Sequence, residues 1–135
     1  MTDPRVEEPA SVAARSGFQP AAMLGFFGWD LVVVCSFVAL GRDTHSESLD
    51  LVRSFQTAAP FLIALAAGWL PPALRTRPAA ITSGLLVGGV TALVGLVLRA
   101  VVFDEGLSGA FPIITTIYLI GLMVLGRLLW ARLRR

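Results

Sequence analysis

Four long runs of apolar residues alternate with short polar segments along this chain: Ala21 to Gly41, Thr57 to Leu74, Ala79 to Phe103 and Ser108 to Trp130. A hydrocarbon layer of about 30 Å needs roughly 20 such residues at about 1.5 Å rise each. Every run reaches or approaches that length. Nor do the runs keep the polar face that a helix in a soluble bundle turns toward water. Leu31 to Cys35 is apolar throughout, and only Thr91 interrupts Leu85 to Leu98. The pattern therefore predicts an all-α fold, an integral membrane bundle of four transmembrane helices at about 21–41, 49–74, 79–103 and 108–130. A flexible tail over residues 1–20 is expected ahead of them.

Turn and breaker residues refine these limits. Gly41 is suited to the left-handed conformation that ends a helix, and Thr44 to Glu47 has the capping-box spacing that opens the next one. Pro60 falls inside the second run, where it removes one backbone hydrogen bond and predicts a kink. Pro71 and Pro72 close that run, and Arg75 to Pro78 makes a short turn. Residues Phe103 to Gly109 make the other.

Composition agrees with a lipid environment: 56% of the residues are hydrophobic and 15% charged, far from the soluble average. The first run is expected to stay as a membrane helix, because Asp3, Glu7 and Glu8 precede it, it exceeds a signal-peptide core, and no small-residue cleavage site follows. Val34 before Cys35 argues against a lipoprotein cysteine. One Cys and one His cannot make an intrachain disulfide or an ordinary zinc site, so no cofactor or metal is expected. All eleven basic residues are arginine, a bias of GC-rich bacterial genomes that points to a bacterial inner membrane.

Those arginines are distributed unevenly. Arg5, Arg15, Arg75, Arg77, Arg127, Arg132, Arg134 and Arg135 fall on one side of the spans, and Arg42, Arg53 and Arg99 on the other. Eight against three, by the positive-inside rule, predicts both termini in the cytoplasm. Trp69 and Trp130 fall at the cytoplasmic ends of their helices, as interfacial aromatics do, and Trp69, with Pro60, is also expected to be a structural or helix-packing position. Trp130, Arg132, Arg134 and Arg135 read as a membrane anchor beside anionic lipid rather than a nucleic-acid patch. Trp29, nearer mid-span, is assigned to a helix contact.

Few residues carry candidate chemistry. An ionised Asp30 inside a membrane helix costs about 2.5–3.5 kcal/mol unless offset, so it is expected to face other helices, carrying a proton, paired with a cation, or open to a water-filled cavity. Arg99 is its natural partner by charge, yet the axial gap is about 16 Å, and snorkelling of Arg99 to the outer headgroups competes with pairing. Arg42 and His45 cluster at the outer end of the first hairpin, where the imidazole titrates near neutral pH or caps the second helix. Gly84, Gly88, Thr91, Gly95 and Arg99 trace one stripe of the third helix, a seam for close helix packing. No phosphate loop, dinucleotide fingerprint, nucleophile elbow or metalloprotease motif occurs, so an enzyme is not the expected reading.

The series Asp30, Gly41-Arg42-x-x-His45, Thr57-x-x-Pro60-Phe61, Gly68-Trp69 and Thr91-x-x-x-Gly95-x-x-x-Arg99 resembles the DUF3054 family of small prokaryotic membrane proteins over nearly the whole chain after the tail. The resemblance implies the membrane architecture and no particular substrate. Two functions follow as expectations. One is an ion- or proton-linked carrier of a small solute, with Asp30, Arg42, His45 and Arg99 lining an outward-facing polar cavity and a homodimer completing the pathway. The alternative is a structural or accessory subunit of a larger membrane complex.

Overall fold

The computed structural model describes residues 17, 19–43, 51–103 and 106–135; backbone alone is described for residues 42, 43 and 51–54. Four long helices and one short one make up the fold: α1 (Pro20–Asp43), α2 (Leu51–Gly68), α3 (Ala73–Thr76), α4 (Ile81–Val101) and α5 (Phe111–Leu133). No strand occurs among the described residues. The long helices run alternately up and down in a ring, α2 against α4, α4 against α5, and α1 closing the ring against both α5 and α2.

Burial is inverted relative to a water-soluble bundle. Leu93 and Ile117, each 67% exposed, and Leu24, Val32, Ile63 and Ile113 point outward, while Asp30, Ser83, Thr91, Thr115 and Arg127 are buried. Apolar surface on this scale needs an apolar solvent. Pro20–Gly41, Ile81–Val101 and Phe111–Leu133 are each long and apolar enough to cross a membrane, and Phe55–Gly68 is a shorter apolar helix. The chain is thus a membrane protein held together by close packing around a small polar interior.

The expected helix limits need two corrections. α2 stops at Gly68, not at residue 74. Pro71 and Pro72 have no N–H to give to Ala67 and Gly68, and Leu70 before a proline is pushed out of the helical region. The last helical bonds are therefore Trp69 N–H to Leu65 O at 3.1 Å and Leu70 N–H to Ala67 O at 3.2 Å. The chain then folds into α3, whose Leu74 is fully buried, and Gln19 N–H donates to Arg75 O at 3.2 Å. Gly41 is the second correction: α1 runs through it to Asp43, and among the described residues the positive-φ glycines are Gly17 and Gly109. Glycine permits the left-handed turn without enforcing it. Pro60 is buried inside a continuous α2. The Thr44 to Glu47 capping box lies outside the described residues.

Glycines set how closely the helices approach. A Cβ on Gly95 would stand 2.4 Å from the Phe61 ring of α2, and one on Gly84 would stand 3.2 Å from Met123 O of α5. The α4 stripe thus faces two neighbours, α5 along Gly84 and Gly88 and α2 along Gly95. Gly95→Ala is expected to cost about 1–3 kcal/mol by overpacking. Adding Phe61→Leu should recover part of that loss, as measured by thermal unfolding in mild detergent.

Candidate functional site

Asp30 stands ten residues into α1, on the side that faces the bundle interior, and both it and Arg127 are 0% exposed. The Arg127 guanidinium grips the carboxylate with both ends of its fork: Nη1 donates to Oδ1, and Nη2 donates to Oδ2 at 2.8 Å. Trp69, immediately after α2, adds a third bond from its indole N–H to Oδ2 at 3.1 Å. A two-pronged, charge-assisted pair is among the stronger arrangements a carboxylate can find. Arg127 Nη1 also donates to Met123 O at 2.9 Å, and its guanidinium lies 4.9 Å from the centre of the Phe26 ring. One cluster therefore ties α1, the end of α2 and α5 together.

Small residues make room for it. Gly84 of α4 leaves the space that the Arg127 side chain fills, since a Cβ there would stand 2.9 Å from Arg127 Cδ. Trp29 packs against Gly126, where a Cβ would stand 2.3 Å from its Nε1, and that indole N–H donates to Leu122 O at 3.0 Å. Here Trp29 is the helix contact expected of it. Phe27 meets Trp69 edge to face at 5.8 Å, and Phe26 meets Trp130 in the same way.

Among the described residues, Asp30 and Arg99 of the polar cluster expected from sequence are not brought together. Arg127, not Arg99, is the cation on Asp30. Arg99 lies fifteen residues along α4 from Gly84, roughly 22 Å at the helical rise, with its guanidinium 4.6 Å from the centre of the Phe111 ring. Arg42 lies twelve residues beyond Asp30 on α1, about 18 Å away along the axis, and His45 lies outside the described residues. Tyr118 reaches Ser36, hydroxyl to hydroxyl at 3.0 Å, rather than Asp30, while Thr115 and Thr116 back-bond to Phe111 O and Pro112 O. Among the described residues the buried Thr91 hydroxyl has no hydrogen-bond partner. Trp130 sits near the end of α5 with Arg134 stacked on it at 4.3 Å, and Arg132 and Arg135 are exposed beside them.

Chemically, this arrangement holds a carboxylate rather than presenting it. Both oxygens of Asp30 are already bonded, and among the described residues its side chain is fully enclosed. The family model of DUF3054, described as a protein of unknown function, matches residues 27–130 of this chain. That interval contains Asp30, Trp69 and Arg127. No curated protein and no solved structure matches the chain.

Proposed function

Because the chain belongs to the DUF3054 family, whose description names no activity, we propose its function from the geometry: a structural or accessory subunit of a membrane complex, locked by a buried ion pair. One observation carries this reading. Both oxygens of Asp30 are occupied by Arg127 and Trp69 at zero exposure, so the charge that a carrier would offer to an ion is spent on holding three segments together. Breaking such a pair leaves an uncompensated charge. The lock therefore favours one arrangement of the bundle over the alternating arrangements that a carrier needs.

In this reading the protein spans the cell membrane of a bacterium four times, with α2 as the fourth span. The eighteen residues of α2 extend about 27 Å, close to the hydrocarbon thickness, and α2 packs between α1 and α4. The excess of arginine at the end shared by the start of α1 and the end of α5 supports placing both termini in the cytoplasm.

The test is Asp30→Asn in the full chain, scored three ways: unfolding in mild detergent, proteins co-purified from native membranes, and ion or solute flux in proteoliposomes. The accessory role predicts lower stability and loss of a co-purifying partner. A variant as stable as the parent that loses a flux would establish a carrier instead.

A further inference from the structure

A second feature lies outside the ion pair, on the lipid-facing side of the seam between α1 and α5. There the two helices leave a groove of about 470 Å³. Ala22, Gly25 and Phe26 line it from α1, Trp130 of α5 and Arg134 just past the end of α5 line it from the other side, and Trp29 lies at its inner end. From Ala22 to Trp29 it runs about 10 Å along the helix axis. Its floor is low because Gly25 has no side chain and no atom lies within 4 Å of where its Cβ would stand.

Charge at the mouth of the groove selects what fills it. Arg134 is held over Trp130, its guanidinium 4.3 Å from the ring centre, and Arg75, Arg77, Arg132 and Arg135 are exposed at the same end of the bundle. Among the described residues Asp30 is the only acidic side chain at that end, and Arg127 neutralises it. The N-terminus of α1 opens at the mouth and adds its partial positive charge. An apolar slot in the hydrocarbon with an arginine at headgroup depth matches an amphiphile that is apolar along its length and anionic at its tip.

We propose that the α1/α5 groove is a discrete site for one anionic phospholipid, an acyl chain lying over Gly25 against Trp29 and Trp130 and the phosphate meeting Arg134. This goes beyond general attraction of an arginine-rich end to acidic membranes, because it places one lipid in one slot, and it does not depend on the accessory role.

The test uses the full chain in phosphatidylcholine vesicles containing increasing fractions of brominated phosphatidylglycerol or brominated phosphatidylcholine, read by quenching of tryptophan fluorescence. Trp29 and Trp130 line the groove and report its occupancy. Half-maximal quenching is expected at a mole fraction about five-fold lower for the anionic lipid, on the scale of one arginine's attraction to an acidic headgroup. Arg134→Gln should remove that preference. Gly25→Leu, which fills the slot from a position with open space, should remove it too, while Gly121→Leu, also open but outside the groove, should keep it. Circular dichroism melting checks that each variant folds, and if Gly25→Leu does not, Arg134→Gln carries the test. Equal quenching by the two lipids overturns the proposal. So does a preference that survives Arg134→Gln, or a dimer that Gly25→Leu dissociates, which would put a second copy of the chain in the groove.

Discussion

Asp30→Ala is expected to lower the unfolding free energy by about 3–5 kcal/mol, the cost of leaving one partner of a buried ion pair without the other. Arg127 cannot escape this by moving to water. Its side chain is wholly buried, its Cδ packs against Gly84, and its guanidinium lies against Phe26. Arg127→Ala should cost a similar amount from the opposite side, with Trp69 left as the single donor to a buried carboxylate. Asp30→Leu combined with Arg127→Met should be much less harmful than either single change, because apolar replacement of both charges removes the desolvation cost along with the attraction. Arg99→Gln provides the contrast. It removes a half-buried cation stacked on Phe111, a contact worth about 0.5–2 kcal/mol. Denaturation of the four variants in one detergent measures the ranking.

Gly88→Ala is the second large effect. A Cβ at position 88 would stand 2.8 Å from the Cα of Ile120 and 3.3 Å from its backbone nitrogen. Backbone atoms cannot rotate away as a side chain can, so α4 and α5 must separate, at a cost of about 1–3 kcal/mol. Its neighbour Gly89 has nothing within 4 Å of its Cβ position. Gly89→Ala should therefore be neutral, or stabilising by up to about 1 kcal/mol through helix propensity. Opposite outcomes at adjacent glycines, read from unfolding midpoints, would separate packing from propensity.

The all-helical, membrane-spanning character was legible because long apolar runs have few other uses, whereas the apolar run carried α2 past the proline pair to residue 74, although those prolines have no N–H to give to its hydrogen-bond ladder. Gly41 misled because its left-handed option is a freedom, not a command. The ion pair was half legible. Asp30 announced itself as a charge that lipid cannot accommodate, but Arg99 drew attention as the charge in the body of a helix, while Arg127 was grouped with the terminal arginines. Depth was the missed signal. Arg127 lies six residues from the end of α5 and Asp30 ten from the start of α1, and those ends meet at one side of the bundle. The axial mismatch is only about 6 Å, against about 16 Å estimated for Arg99. Trp69, placed at headgroup depth and expected to serve in helix packing, belongs to the same cluster because α2 ends at that level. Its indole N–H had no reason in sequence to turn inward. The glycine stripe of α4 was visible as a pattern, whereas its division between α2 and α5 depends on which way each helix faces.

A double-mutant cycle on Asp30→Asn and Arg127→Gln, measured by reversible unfolding, tests most directly whether this pair locks the bundle. Groups in contact couple by about 0.5–3 kcal/mol, and distant ones add within about 0.5 kcal/mol. The ion pair predicts coupling at the upper end of that range for Asp30 with Arg127, and simple additivity for Asp30 with Arg99. Additivity between Asp30 and Arg127, or coupling that appears instead with Arg99, would contradict it.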